Sequence, residues 1–127
     1  MTPILNVSGI DASFAWFEAL GWEQNWREGG FAAIRCGRVE VFLCEGAQGS
    51  RGERRPRYPG DDDTDGVWMT WWLDTPADVD AAHELALQHG FEVTWPPTDE
   101  PWGVREFHLR HPDGHTFRVA SGLPGRA

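Results

Sequence analysis

The chain sets short apolar runs against one helical stretch and then repeats the arrangement. Residues 3–8 (PILNVS) read as a short strand. From Ile10 to Leu20 the apolar residues Ile10, Phe14 and Phe17 recur at the spacing of one helix face, and Gly21 ends the helix. Trp16, on the face opposite Phe14, is expected at the surface or in an interface. Residues 22–27 and 31–36 read as strands, and Val39, Val41 and Leu43 alternate with Glu40 and Phe42 in a further one. The order over about residues 1–45 is therefore βαβββ.

The second half has the same order. VWMTWWLD (67–74) reads as a strand, and Thr75-Pro76-Ala77-Asp78 opens a helix with a capping hydroxyl, a proline in the first turn and a carboxylate three residues after the cap. That helix is expected to run to about His89, with Val79, Ala82, His83 and Ala86 on one face and Gly90 after it. Phe91–Trp95 reads as a strand broken by Pro96-Pro97. VREFHLR (104–110) then leads through His111-Pro112-Asp113-Gly114 into HTFRVA (115–120). The polar segment between the halves, about residues 46–66, contains RGERRPR and DDDTD without periodicity and reads as a long loop. The expected fold is α+β: one domain over 1–127 in which two βαβββ modules (about 1–45 and 67–120) form curved antiparallel sheets, each with a helix on its convex face.

Alternation assigns the strand faces. Ile34, Val41 and Leu43 are expected to pack toward the first helix. Phe31, Ala33, Phe42 and Cys44 point to the other, concave face, where Arg35 and Glu40 pair across the hairpin. In the second module Met69, Trp71, Leu73, Phe107, Leu109, Phe117 and Val119 take the helix side. Trp68, Thr70, Trp72, Glu106, His108, Arg110, Thr116 and Arg118 are left on the concave side. Flat rings mixed with a few charged groups are the make-up of a small-molecule pocket.

Composition narrows the class. The net charge is −9, from 20 acidic and 11 basic residues. Such a balance disfavours nucleic acid, whose phosphates need a basic face. All the basic residues are Arg, as in a bacterial genome rich in GC. No apolar run spans a bilayer and the start MTPILNVSG does not read as an export signal, so a cytoplasmic protein is expected. Cys36 and Cys44 fall at separate positions of one hairpin, too far apart for a disulfide. Eight Trp exceed what a core of this size uses, which leaves several rings for a ligand surface.

Catalytic signals are thin. His108, His111 and His115 read as H-x2-H-x3-H, but no Cys or carboxylate other than Glu106 is placed to complete a tetrahedral metal set. Glu106 beside His108 and Arg118 is either an acid–base pair acting on a ligand or a structural ion pair of Glu106 with Arg118.

Two stretches, VSGIDASFAWFEALGW and EPWGVREFHLRHPDGHTFRV, carry a family resemblance. With the paired βαβββ order they resemble the vicinal oxygen chelate, or glyoxalase/bleomycin resistance/dioxygenase, superfamily. The second stretch is similar to the P-W-G-x-R-E-F-x-x-x-x-P-x-G signature of its bleomycin-resistance-type members. In the metalloenzymes of this family, ligands sit on the first strand, at the opening of the fifth and on the last strand. The resemblance puts Thr2, Trp68 and Arg118 at those positions, so no metal, no other cofactor and no catalytic residue is expected.

The resemblance implies the antibiotic-binding branch, whose members sequester a drug unaltered in a groove of a homodimer. Phe31 and Trp102 match ring positions of that groove, as does Trp68. Strand alternation adds Phe42 and Trp72, and the polar residues Glu106, His108 and Arg118 complete the expected ligand site. The expected function is self-resistance by binding a flat aromatic natural product, of bleomycin type or anthraquinone enediyne type. The alternative is an enzyme of the same superfamily (isomerase, lyase or ring-opening) acting on a small aromatic metabolite.

Overall fold

The computed structural model describes residues 1–52 and 66–125. Most of the 46–66 loop, including the bulk of RGERRPR and all of DDDTD, lies outside the described residues. Chain contacts divide the structure into two units: Met1–Val67 with the turn Pro112–His115, and Trp68–His111 with Thr116–Ala127.

The first unit holds β1 (Ile4–Val7), α1 (Ile10–Ala19), β2 (Glu23–Glu28), β3 (Phe31–Cys36) and β4 (Val39–Glu45). Its four strands lie in the order β1-β4-β3-β2. The second holds β5 (Trp68–Trp72), α2 (Pro76–Gln88), β6 (Glu92–Glu100), β7 (Val104–Arg110) and β8 (Thr116–Gly122), in the order β5-β8-β7-β6. Both units are βαβββ, the α+β architecture expected.

The sheets differ from the expectation in one respect: each is mixed rather than purely antiparallel. β1 runs parallel to β4, and β5 parallel to β8. The helix after the first strand carries the chain across the sheet, so the last strand of each module returns alongside the first in the same direction.

Each helix covers one face of its own sheet. Leu5, Val7, Ile34, Val41 and Leu43 are buried in the first unit and Trp71, Phe107, Leu109, Phe117 and Val119 in the second, together with Val79, Ala82 and Ala86 of α2. The α2 start reads as the sequence implied: Thr75 accepts from the Asp78 N–H, Asp78 accepts from the Thr75 N–H, and Pro76 stands in the first turn. His83 is half-buried with its ring on Phe107.

Two further expectations are corrected. Trp16 is buried, its ring edge-on to Phe17 at 4.9 Å. The inward stripe of α1 is Ile10, Ser13, Trp16 and Phe17, with Phe14 only half-buried, because small Ser13 lets the helix turn its bulkier indole inward. Pro96-Pro97 does not break β6, which runs on to Glu100. The strand lies at the sheet edge, where a proline without an N–H costs no ladder bond, and irregular register between Val93 and Thr98 absorbs both rings.

Candidate functional site

On the face of each sheet away from its helix the rings stand in a cluster. In the first unit Phe31 and Phe42 lie 5.2 Å apart, and Trp26 stacks on Phe31 at 5.4 Å. Phe42 pairs with Ala33 and Phe31 with Cys44, which fixes both rings on that face. Both cysteines are free thiols, as their places on the hairpin implied. Burial, with Glu23 nearby, raises the pKa of Cys36.

In the second unit the strand register sets Thr70, Arg118, His108 and Trp95 in one row across β5, β8, β7 and β6. Trp68, the next residue of β5 on the same face, meets the His108 ring edge-on at 5.6 Å. Trp95 meets the same ring at 6.4 Å and donates its indole N–H to Glu100 Oε1 at 3.0 Å.

One row along from His108, level with Ala120, Glu106 is 1% exposed. Arg118 Nε donates to its Oε2 at 2.8 Å and Nη2 to its Oε1 at 2.9 Å, while His108 Nε2 lies 3.4 Å from Oε2. Burial alone would raise the Glu106 pKa. The Arg118 bonds and charge, with His108, outweigh it, and the carboxyl ionises below its ordinary value. Of the two readings of Glu106, the structure contains the ion pair with Arg118. The carboxylate also lies beneath the surface of this face, with both its oxygens engaged by the partly exposed Arg118 guanidinium. Arg110 and Thr116 are likewise buried, the Arg110 Nε donating to the Thr116 hydroxyl.

Trp72 and Trp102 are both exposed; Trp72 stands on the same sheet face, one row along from Thr70 and Arg118 and level with Glu106, whereas Trp102 stands elsewhere on the second unit. Trp72 is level with Ala120, and Trp102 lies in the turn between Glu100 and Val104, level with the end of β8 at Gly122. Trp68 is level with Thr116 at the opposite end of that strand. The separation is roughly 20 Å at about 3.3 Å per residue, against the ~7 Å within which two rings interact. Within this unit Trp68 and Trp102 therefore do not share one planar ligand.

Sequence reasoning missed Trp26 and Trp95. Trp26 sits just past a register shift in β2, where simple alternation fails. Trp95 lies between two register shifts in β6, which continues past it to Glu100.

The metal positions implied by the family do not fit an ion. The Thr2 hydroxyl donates to Glu40, Trp68 offers an indole ring, and Arg118 holds a guanidinium against Glu106. None of these presents a lone pair to a divalent cation beyond the single hydroxyl of Thr2. Among the described residues no three His, Cys, Asp or Glu side chains are grouped to hold one. The buried His115 instead binds backbone on both sides: its Nδ1 accepts from the Val67 N–H at 3.1 Å and its Nε2 lies 2.8 Å from the Asn6 carbonyl. His111 is also buried.

The family described as Glyoxalase/Bleomycin resistance protein/Dioxygenase superfamily matches residues 2–119. No curated protein matches the chain. Among solved structures, a glyoxalase/bleomycin resistance protein/dioxygenase from Nocardioides is 24% identical with a TM-score of 0.71, covering 98% of this chain and 83% of that one. A bleomycin-binding protein complexed with bleomycin is 20% identical (TM-score 0.70; 96% and 97% covered). A lactoylglutathione lyase from Agrobacterium tumefaciens is 22% identical (TM-score 0.71; 96% and 92% covered). Likeness at these identities is one of fold, and it embraces a binding protein and an enzyme alike. No helix among the described residues is long and apolar enough to cross a membrane.

Proposed function

The chain belongs to the glyoxalase/bleomycin resistance/dioxygenase superfamily, and from that membership we propose a stoichiometric binder that holds a flat aromatic natural product of antibiotic type, bleomycin-like or anthraquinone enediyne-like, without changing it. The reading takes the protein as a cytoplasmic homodimer that confers self-resistance by sequestration. One observation carries it: two exposed indoles, Trp68 and Trp95, flank His108 on an open sheet face where the family's metal positions hold an indole and a clamped guanidinium. Each stacked ring contributes about 0.5–1.5 kcal/mol beyond the apolar area it buries. Two rings with that burial support micromolar binding or better after the cost of association.

The test is tryptophan-fluorescence titration of metal-free protein with bleomycin, mitomycin, an anthraquinone enediyne and a simple polycycle, with mass spectrometry of the recovered ligand. Saturable quenching by an unaltered ligand, weakened in Trp68→Ala, is the expected result. Unchanged affinity in both Trp68→Ala and Trp95→Ala would overturn the reading. Sedimentation at micromolar concentration tests the dimer.

The 3.4 Å approach of His108 to Glu106 favours a second reading, an isomerase, lyase or ring-opening enzyme acting on a small aromatic metabolite. It stands second because both Glu106 oxygens are already engaged by Arg118. A chemically altered ligand in the same experiment would bring it forward.

A further inference from the structure

We propose that Arg118 selects the ligand's chemistry, its outward N–H edge taking a neutral carbonyl-type acceptor on the rim of a planar aromatic ring system. The proposal rests on the binding reading above and names the class of ligand that this face accepts. Arg118 spends Nε and one Nη2 hydrogen on Glu106, and since that carboxylate is buried, the engaged edge of the guanidinium faces inward. The Nη1 group and the second Nη2 hydrogen lie on the edge away from it. Among the described residues Nη1 has no hydrogen-bond partner, and the side chain is 37% exposed.

Three features make that edge selective. The two-pronged bond to Glu106 fixes the guanidinium plane before any ligand arrives, so a hydrogen bond there costs little ordering. Arg118 occupies the row between Thr70 and His108, beside the position of Trp68 and two strands from Trp95, with His108 between, so an acceptor on the rim of a planar ring lying across this face against Trp68 comes within its reach. The charge of Arg118 is cancelled by Glu106, and Glu100 adds a carboxylate at the Trp95 indole. A ligand anion meets no net positive charge here, and a ligand cation, though drawn by Glu100, cannot accept from the Arg118 N–H groups. A neutral acceptor satisfies the donors and adds no buried charge.

Isothermal titration with four probes of similar outline tests this: hydroxymethylanthraquinone, hydroxymethylanthracene, aminomethylanthracene and anthracene carboxylate. The expected result is that the wild-type protein binds the quinone about tenfold more tightly than the hydroxymethyl hydrocarbon, as for a hydrogen bond to a charged donor. That ratio should fall toward one in the double variant Glu106→Gln/Arg118→Gln, which strands no buried carboxylate. Arg118→Lys is the second variant: it keeps the charge and loses the planar fork, and the ratio should fall there also. Circular dichroism checks that each variant is folded. Planar probes that bind with no preference for the quinone would overturn the proposal and leave stacking in place. Tightest binding by the carboxylate or the amine would overturn it too. Failure of all four probes to bind would overturn the underlying binding reading together with it.

Discussion

Arg118 meets Glu106 with two parallel hydrogen bonds of 2.8 and 2.9 Å, so that a partly exposed guanidinium keeps a buried carboxylate ionised. The stability this adds is complete above the unfolded carboxyl pKa of about 4.3 and is lost as pH falls through the lower folded value. Arg118→Met should cost about 3 kcal/mol at pH 7, the low end for a broken buried pair because solvent reaches Arg118. The deficit should shrink at pH 4, where the stranded Glu106 takes up a proton. Urea unfolding at both pH values checks this, and equal deficits would refute it.

Glu45 serves the first helix from another strand. Gly9, at the N-cap of α1, has no side chain to offer, and the Ile10 N–H is met instead by Glu45 Oε1 at 2.9 Å. The carboxylate both satisfies an end-of-helix donor and faces the positive end of the helix dipole. Glu45→Ala should cost about 1 kcal/mol, and Glu45→Gln less, since the amide oxygen still accepts. Denaturant midpoints of the two variants separate the hydrogen bond from the charge.

These relationships show what the sequence could and could not convey. The α2 cap was legible because Thr75, Pro76 and Asp78 act within one turn, and the helix-side positions of β4, β7 and β8 because their pairing runs without a register shift. Trp16 was misplaced because Ser13, a small polar residue, hid the inward stripe of α1. Trp26 and Trp95 were missed because each adjoins a register shift that alternation cannot foresee. Glu106, His108 and Arg118 could be put on one face from sequence, but not the depth at which Glu106 sits. The placing of Trp102 about a strand's length from Trp68 depends on pairing between strands distant in the chain.

His115 links Asn6 and Val67 through a neutral imidazole. Burial lowers its pKa; the bond to Asn6 and the nearby Asp113 oppose that, and Arg51 adds to it. The folded state resists protonation, so the stability tied to this ring is complete above the unfolded value of about 6.5 and drains away as pH falls through the lower folded one. His115→Gln keeps an acceptor and a donor without titrating. Between pH 7.5 and 5 the wild-type urea midpoint should fall more steeply than that of the Gln variant. Parallel curves would show that His115 does not titrate in this window.

Gly114 closes the turn that places His115. Its φ is +88°, in the region that favours glycine, and a Cβ there would lie 2.0 Å from the Gly52 carbonyl oxygen. Gly66 is as confined, since its Cβ would come 2.3 Å from the Gly114 carbonyl. The backbone must approach closely at this point because the Gly52 N–H donates to the Asp113 carbonyl at 2.9 Å and the Asp113 side chain accepts from the Ser8 N–H at 3.0 Å. Gly114→Ala meets both a strained φ and a backbone obstruction, whereas Gly125→Ala has only the φ, in open space. Gly114→Ala should therefore lose more than about 2 kcal/mol, lowering Tm by roughly 10 °C, while Gly125→Ala loses less than half of that. Differential scanning calorimetry of the two variants reads the contrast directly. Equal losses would mean that the close approach of Gly52 to the turn contributes nothing.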